Sequence, residues 1–386
     1  MRPSLFQKMK VARQCVEAHP EGKRERARTS GTVYPRVPDG EWARDVTVQV
    51  NLPISRQEES ASKLGALLGP LTVLALQKKT WSPLTLAGVL WRAATNIGRH
   101  RGVLRLRRNP IYAEHIERDP RFLFKYLTHD YLSRSMSVAE RASCFVHHYR
   151  RFYAELPDGM LRRILTGELQ LMEMCEQGHR FAITLGLSEP WDKEGELSLN
   201  LRVDGQLAYV LSFSIVPGKA VGVHAPEVLL IARLQGERGA YGIIANATKA
   251  MRAVAPAALL LSALEGLGVA LGIEAVASVR GINQTSYREE FDHNFRSAYD
   301  DFFSALGVEL NPAGYFTTSI PMPEKPMEEI KRGHKLRTRE KREFKRRVAA
   351  EVCQLMRVCR RGRVLEFPPH TRPAEPEMSR RRVFGD

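Results

Sequence analysis

Between Gly195 and Arg280 the spacing of apolar and polar positions changes period several times. Glu196-Leu-Ser-Leu-Asn-Leu-Arg-Val203 alternates, which predicts a half-buried strand. Asp204-Gly205 supplies a hairpin turn, and Leu207 to Val216 returns as an apolar, β-branched and aromatic strand. Val228 to Leu234 is a near-continuous apolar run, as in a strand covered on both faces. Gln235-Gly236-Glu237-Arg238-Gly239 breaks that run, and Ile243 to Met251 takes up helical spacing. An apolar helix over Ala253 to Ile273 and a strand over Glu274 to Val279 follow. A strand, a glycine turn and a helix start in this order gather backbone N–H groups where a phosphate is well held.

The flanks read differently. Residues 1 to about 60 have no sustained period and predict a mobile extension. From Leu64 to Leu165 the spacing is helical. Trp81 to Ile97 predicts an amphipathic helix and Arg99 to Arg108 a strongly basic connection. Asn109-Pro110 and Asp119-Pro120 are helix starts, and Ser137-Val-Ala-Glu140 fits a capping box. The helix after it places Phe145, His148, Tyr149 and Phe152 near one face, and Leu161 to Cys175 is a further amphipathic segment. Phe181 to Leu187 is the first predicted strand and Gly314 to Ile320 the last. Between them Phe291 to Leu306 is helical, and Pro321 to Pro326 forms a rigid linker. Lys331 to Val358 is a basic helix. The expected fold is α+β, an N-terminal helical layer followed by a mixed sheet on central helices. The domain spans 61–350, helical over 61–175 and sheet over 176–330, before a basic, largely disordered tail over 351–386.

Ala253 to Ile273 has bilayer-spanning length. Glu265 at its centre, Pro256 and three glycines favour a core helix, as does the strand that follows at once. Charge adds a second theme. Lys and Arg outnumber Asp and Glu, 59 to 43, and the stretch from Lys331 onward holds 18 bases and 7 acids. An anionic partner follows: lipid, nucleic acid or a phosphorylated cofactor. The five scattered cysteines have no CxxC spacing, so neither a zinc knuckle nor a thioredoxin-like site is indicated, no metal is expected, and a reducing compartment is the simplest setting. There is no apolar stretch of signal-peptide form at the N-terminus, which points to a cytoplasmic protein.

Several of these residues together resemble the bacterial VirK/YbjX family, whose domain has no established biochemical function. They are His148-Tyr149, Glu194-Gly-Glu-Leu-Ser-Leu199, Leu211-Ser-Phe-Ser-Ile215, Leu234-Gln-Gly236, Thr248-Lys249, Pro256, Tyr299-Asp300 and the basic helix through Lys341-Arg342 to Arg347. The resemblance runs from about Leu64 to Ala350. It implies a setting in virulence and the cell envelope and supplies no catalytic residue. Separately, Arg233-Leu-Gln-Gly236 is similar to the first half of the pyrophosphate loop of acyl-CoA-dependent N-acyltransferases of the GNAT type, while Gly239-Ala240 comes later than that pattern requires.

Three readings follow. In a GNAT-like acyltransferase, Gln235, Gly236, Arg238 and Gly239 hold the acyl-CoA pyrophosphate, Lys249 assists, and Glu196 is the base. Glu194 shares a strand face with Glu196, and His148 and Tyr299 are further acid or base candidates. A plain glycine turn, a solvated strand end and core packing are the structural counterparts of these roles. In a non-catalytic adaptor, Lys341, Arg342, Lys345, Arg346 and Arg347 dock peripherally on anionic lipid or envelope components at the inner membrane. The same bases suit a non-specific nucleic-acid binder, although no sequence-reading motif is present.

Overall fold

The computed structural model describes residues 83–128, 131–188 and 193–361. The 1–60 extension, the start of the helical stretch from Leu64 and the tail from residue 362 lie outside the described residues. The chain enters through α1 (Pro83–Thr95) and α2 (Ile97–Leu104), continued by a 3₁₀ turn over Arg105–Arg108. The arginine-rich run expected to be a connection is therefore helical. His100, Val103 and Leu106 recur every three residues and are buried, which turns the arginines outward.

α3 (Pro110–Arg118) starts where Asn109 Oδ1 accepts from the amides of Ile111 and Tyr112 at 3.0 and 3.3 Å. Asp119 likewise caps a 3₁₀ segment, Pro120–Leu127. α4 (Val138–Glu155) opens on the expected capping box, with Ser137 Oγ bound to the Glu140 amide and Glu140 returning to the Ser137 amide. α5 (Asp158–Thr166) leads into the sheet.

The sheet has eight strands: β1 (Glu168–Glu176), β2 (His179–Leu187), β3 (Leu197–Val203), β4 (Gln206–Pro217), β5 (Glu227–Gly236), β6 (Ala275–Val279), β7 (Glu309–Leu310) and β8 (Tyr315–Ser319). Their order is β1-β2-β3-β4-β5-β6-β8-β7. β5 and β6 are parallel and every other pair antiparallel, so the sheet is mixed. Parallel neighbours need a crossover, and α6 (Tyr241–Ala250) and α7 (Pro256–Leu271) supply it. A broken helical stretch follows over residues 292–305, with a π turn at Arg296–Asp300. α8 (Lys335–Arg360) closes the fold and passes straight through residue 351, where the sequence reading begins the tail.

The amphipathic segment expected over Leu161 to Cys175 divides: its first part lies in α5, and β1 takes the rest. The pairing of β1 with β2 slips at Leu171, between Gln170 and Met172. That bulge shifts the alternation by one, so Leu169, Met172 and Met174 share a face at a spacing that reads as helical. The opposite face carries a polar ladder. Glu168 accepts from Thr184 Oγ1 at 2.6 Å, Asn200 Nδ2 at 3.0 Å and Arg202 at 2.9 and 3.1 Å. Burial alone raises the Glu168 pKa, but these donors together hold it below the usual carboxylate value of 4.5.

α7 is buried on nearly every residue, as a core helix should be, and among the described residues no helix is long and apolar enough to cross a membrane. It packs on α8 through a glycine. A Cβ built on Gly266 collides with the backbone of Ala349, so only glycine permits this approach.

Two stability outcomes follow. Gly266→Ala lowers the unfolding free energy measured in urea by about 1–3 kcal/mol, because overpacking outweighs the gain in helix propensity, whereas Gly88→Ala in open space on α1 gains up to about 1 kcal/mol. Glu168→Gln costs about 1–2 kcal/mol at neutral pH. Because the folded pKa is depressed, that difference is full above about pH 4.5 and closes as pH falls through the folded value, which denaturant titrations across pH will show.

Candidate functional site

Glu194 and Glu196 flank Gly195, whose φ of +142° no β-carbon tolerates here, since one would lie 2.8 Å from the Phe213 amide. This kink corrects the expectation that the two carboxylates share a face: they reach separate sets of partners. Neither is a solvated strand end, and both are buried.

Glu196 is fully buried and forms an ion pair with Lys125, itself 2 % exposed, at 3.3 Å. Lys125 Nζ also donates to Gly195 O at 2.7 Å and lies 5.6 Å from the centre of the Phe122 ring. The Tyr149 hydroxyl donates to Glu196 Oε2. Burial, and after it the Glu196 charge, raises the pKa values of Tyr131 and Tyr149 well above normal, so both hydroxyls stay protonated.

His148 Nδ1 accepts from the Ile215 amide at 3.0 Å, and burial, with Lys125 adding to it, pushes its pKa down to about 3. The ring is neutral with its proton on Nε2, so Nδ1 is not available as a base. Neither the cavity between α7 and α8 nor the groove between α2 and α4 is lined by Glu196, Tyr149 or His148.

Glu194 belongs to a second cluster. It accepts from Gln284 Nε2, Ser286 Oγ and, at 3.2 Å, Thr285 Oγ1, with Arg233 at 3.4 Å. This cluster sits where β5 outruns its neighbour. β6 pairs with β5 only at Leu229–Ile231, and beyond that point protein side chains meet the β5 backbone. Gln284 Nε2 reaches Ala232 O at 3.4 Å, and the Leu234 amide donates to the Tyr299 hydroxyl at 3.1 Å. Glu194 and Tyr299 are thus brought together, with burial first and the Glu194 charge second raising the tyrosine pKa.

The predicted phosphate notch is different from expectation. β5 continues through Gln235 and Gly236, paired with Val210 and Tyr209. A β-carbon on Gly236 would lie 2.6 Å from Ile244 Cδ1 and 3.5 Å from the Tyr209 ring, so side chains fill the corner. The Glu237 amide is bound to Ala208 O and the Ala240 amide to Glu237 O. Arg238 and Gly239 are exposed, and Lys249 lies in the last turn of α6, about 12 Å along the helix from its start.

On α8 the buried residues begin at Phe344, followed by Val348, Val352, Cys353, Met356 and Cys359. Lys335–Glu343, about 13 Å of helix, holds no fully buried residue, although Arg342 is half-buried. Arg342 and Arg346 reach Glu324, and Arg347 reaches Glu176. Lys331, Arg332, Arg337 and Arg339 are exposed, and like Lys341 and Lys345 they have no carboxylate partner among the described residues. Desolvation, and then Arg337, lowers the Lys341 pKa.

The free positive charge therefore lies a turn or two earlier than the Lys341 to Arg347 block singled out from sequence. Leu336 stands among these bases, 68 % exposed. Beneath the later turns a largely apolar cavity of about 490 Å³ opens between α7, α8 and Pro321–Glu324, with Lys345 and Glu265 at its polar edge. No group of histidine, cysteine and carboxylate side chains among the described residues is arranged to hold a metal ion.

The DUF535 family, described as a protein of unknown function, matches residues 90–353. The chain belongs to DUF535. That family includes VirK/YbjX, in line with the motifs noted above, and its match runs from α1 to the buried half of α8. No curated protein and no solved structure matches the chain. Within this DUF535 domain the Lys125–Glu196 pair joins the helical layer to the sheet. Lys125→Met strands a buried carboxylate and lowers stability by about 3–5 kcal/mol, while adding Glu196→Leu restores much of the loss, as a double-mutant cycle in urea will register.

Proposed function

We propose that this DUF535 chain is a peripheral adaptor that docks on anionic lipid through the first turns of α8. The observation that carries the reading is Leu336. It stands 68 % exposed ahead of the first buried residue of the helix, Phe344, with Arg332, Arg337 and Arg339 close to it in sequence, exposed and free of carboxylates. Bases alone suit any polyanion. An apolar side chain among them suits a bilayer, where its transfer beneath the headgroups adds to the electrostatic attraction. A nucleic-acid backbone gives a leucine no comparable gain. The envelope setting implied by the VirK/YbjX resemblance agrees with a lipid partner.

The GNAT-like reading loses the features that motivated it: Ile244 occupies the pyrophosphate corner, and Gln284 and Tyr299 occupy the free edge of β5. Glu196 is enclosed with Lys125 and Tyr149 rather than facing a substrate. The adaptor reading needs none of these residues to be accessible.

Flotation with vesicles of phosphatidylglycerol and phosphatidylcholine tests the proposal. Replacing Arg332, Arg337 and Arg339 by Gln weakens binding by about 3 kcal/mol, at roughly 1 kcal/mol per base. Leu336→Ser weakens it by about tenfold and leaves binding to duplex DNA at equal salt unchanged. Equal binding to pure phosphatidylcholine, or indifference to the Leu336 change, overturns the reading.

A further inference from the structure

A second concave surface carries positive charge without a matching acid. It is a groove of about 570 Å³ between α2, α4 and the turn after β4. Its floor is made of small residues, Gly98 and Gly102 on α2 against Ala139, Ala142 and Ser143 on α4. Arg99, Arg150 and Lys219 line it and are exposed, and no Asp or Glu lines it.

Arg99 donates to Asn96 Oδ1 at 2.9 Å, and neither Arg150 nor Lys219 has an ion-pair partner among the described residues. Glu227, next in sequence to the lining residue Pro226, is already taken by His147 at 3.1 Å and by Arg151 at 2.8 Å. Several other arginines of this domain are matched: Arg202 with Glu168, Arg346 with Glu324, Arg360 with Glu155. Here three unmatched cations converge on one concavity.

We infer that this groove binds a phosphate-bearing anion. Arg99, Arg150 and Lys219 are the charged donors, the Ser143 hydroxyl is a neutral donor on the floor, and the absent side chains of Gly98 and Gly102 let the ligand approach the helix backbone. Planar guanidinium groups suit the paired oxygens of a phosphate, and Lys219 adds a point charge. The ligand is either a soluble phosphate ester or the headgroup of an anionic phospholipid. Both present the same oxygens to the same donors. The inference does not rest on α8, whose bases lie on a different element.

Calorimetry with inorganic pyrophosphate at low salt, and flotation with phosphatidylglycerol vesicles, separate the two sources. Two proteins are compared with the wild type: Arg150→Gln/Lys219→Gln, and the α8 triple variant of Arg332, Arg337 and Arg339. Pyrophosphate binding falls roughly a hundredfold in the groove variant, about tenfold for each charged hydrogen bond, and is unchanged in the α8 variant. Loss of vesicle binding in the groove variant, with no pyrophosphate binding by any form, assigns the site to a lipid headgroup. Ser143→Glu, a carboxylate set on the exposed floor, abolishes whichever binding is seen. Pyrophosphate and vesicle binding that are both absent, or both unaffected by the groove changes, overturn the inference. A failure confined to the α8 variant bears on the adaptor reading alone.

Discussion

Removing a lysine and a glutamate from water together is costly, and a fold does so only where the geometry compensates. Here Lys125 comes from a 3₁₀ segment of the helical layer, Glu196 from the start of β3, and Tyr149 from the middle of α4. Three pieces of chain distant in sequence must converge before any of the charges is satisfied. The kink at Gly195 turns Glu196 toward them and at the same time offers its own carbonyl to Lys125. The arrangement fixes how the helices lie on the sheet more tightly than apolar contact alone would, because sliding either layer strands a charge.

A second set of charges ties the far end of the molecule. Arg151 on α4 holds Glu227 at the start of β5 and the last carbonyl of α7, while Glu155 on α4 meets both Arg151 and Arg360 of α8. The C-terminal half of α8 is thereby anchored by ion pairs and by its buried face. Its first two turns, Lys335 to Glu340, hold neither an ion pair nor a buried residue, which leaves those cationic turns exposed. Anchorage at one end and freedom at the other suit a helix whose partner lies outside the protein.

Much of the architecture was legible where one signal dominates. The Asn109, Asp119 and Ser137 caps, the β3–β4 hairpin and the core character of α7 follow from side-chain chemistry that acts within a few residues. β1 was not, because the bulge at Leu171 disguises its alternation, and neither was α2, because five arginines mask the three-residue rhythm of His100, Val103 and Leu106. For the candidate site the balance reverses. Residue types pointed to Glu194, Glu196, His148 and Tyr299 as reactive, yet each is committed to a partner that no local pattern reveals. Nothing near Gly236 in sequence shows that Ile244 folds back over it, and nothing near Arg150 shows that Lys219 faces the same groove. Contacts of this kind depend on register and crossover geometry, which a linear spacing does not encode.

The glycine seam between α7 and α8 also has a bearing on synthesis. Leu271 leaves the ribosome 78 residues before Ala349, so the face that Ala349 will cover stays open for about 4–16 s at 5–20 residues per second. In that interval the most apolar helix of the described chain has sheet on one flank and water on the other. A chain of this design therefore carries an aggregation-prone apolar face until its last helix arrives.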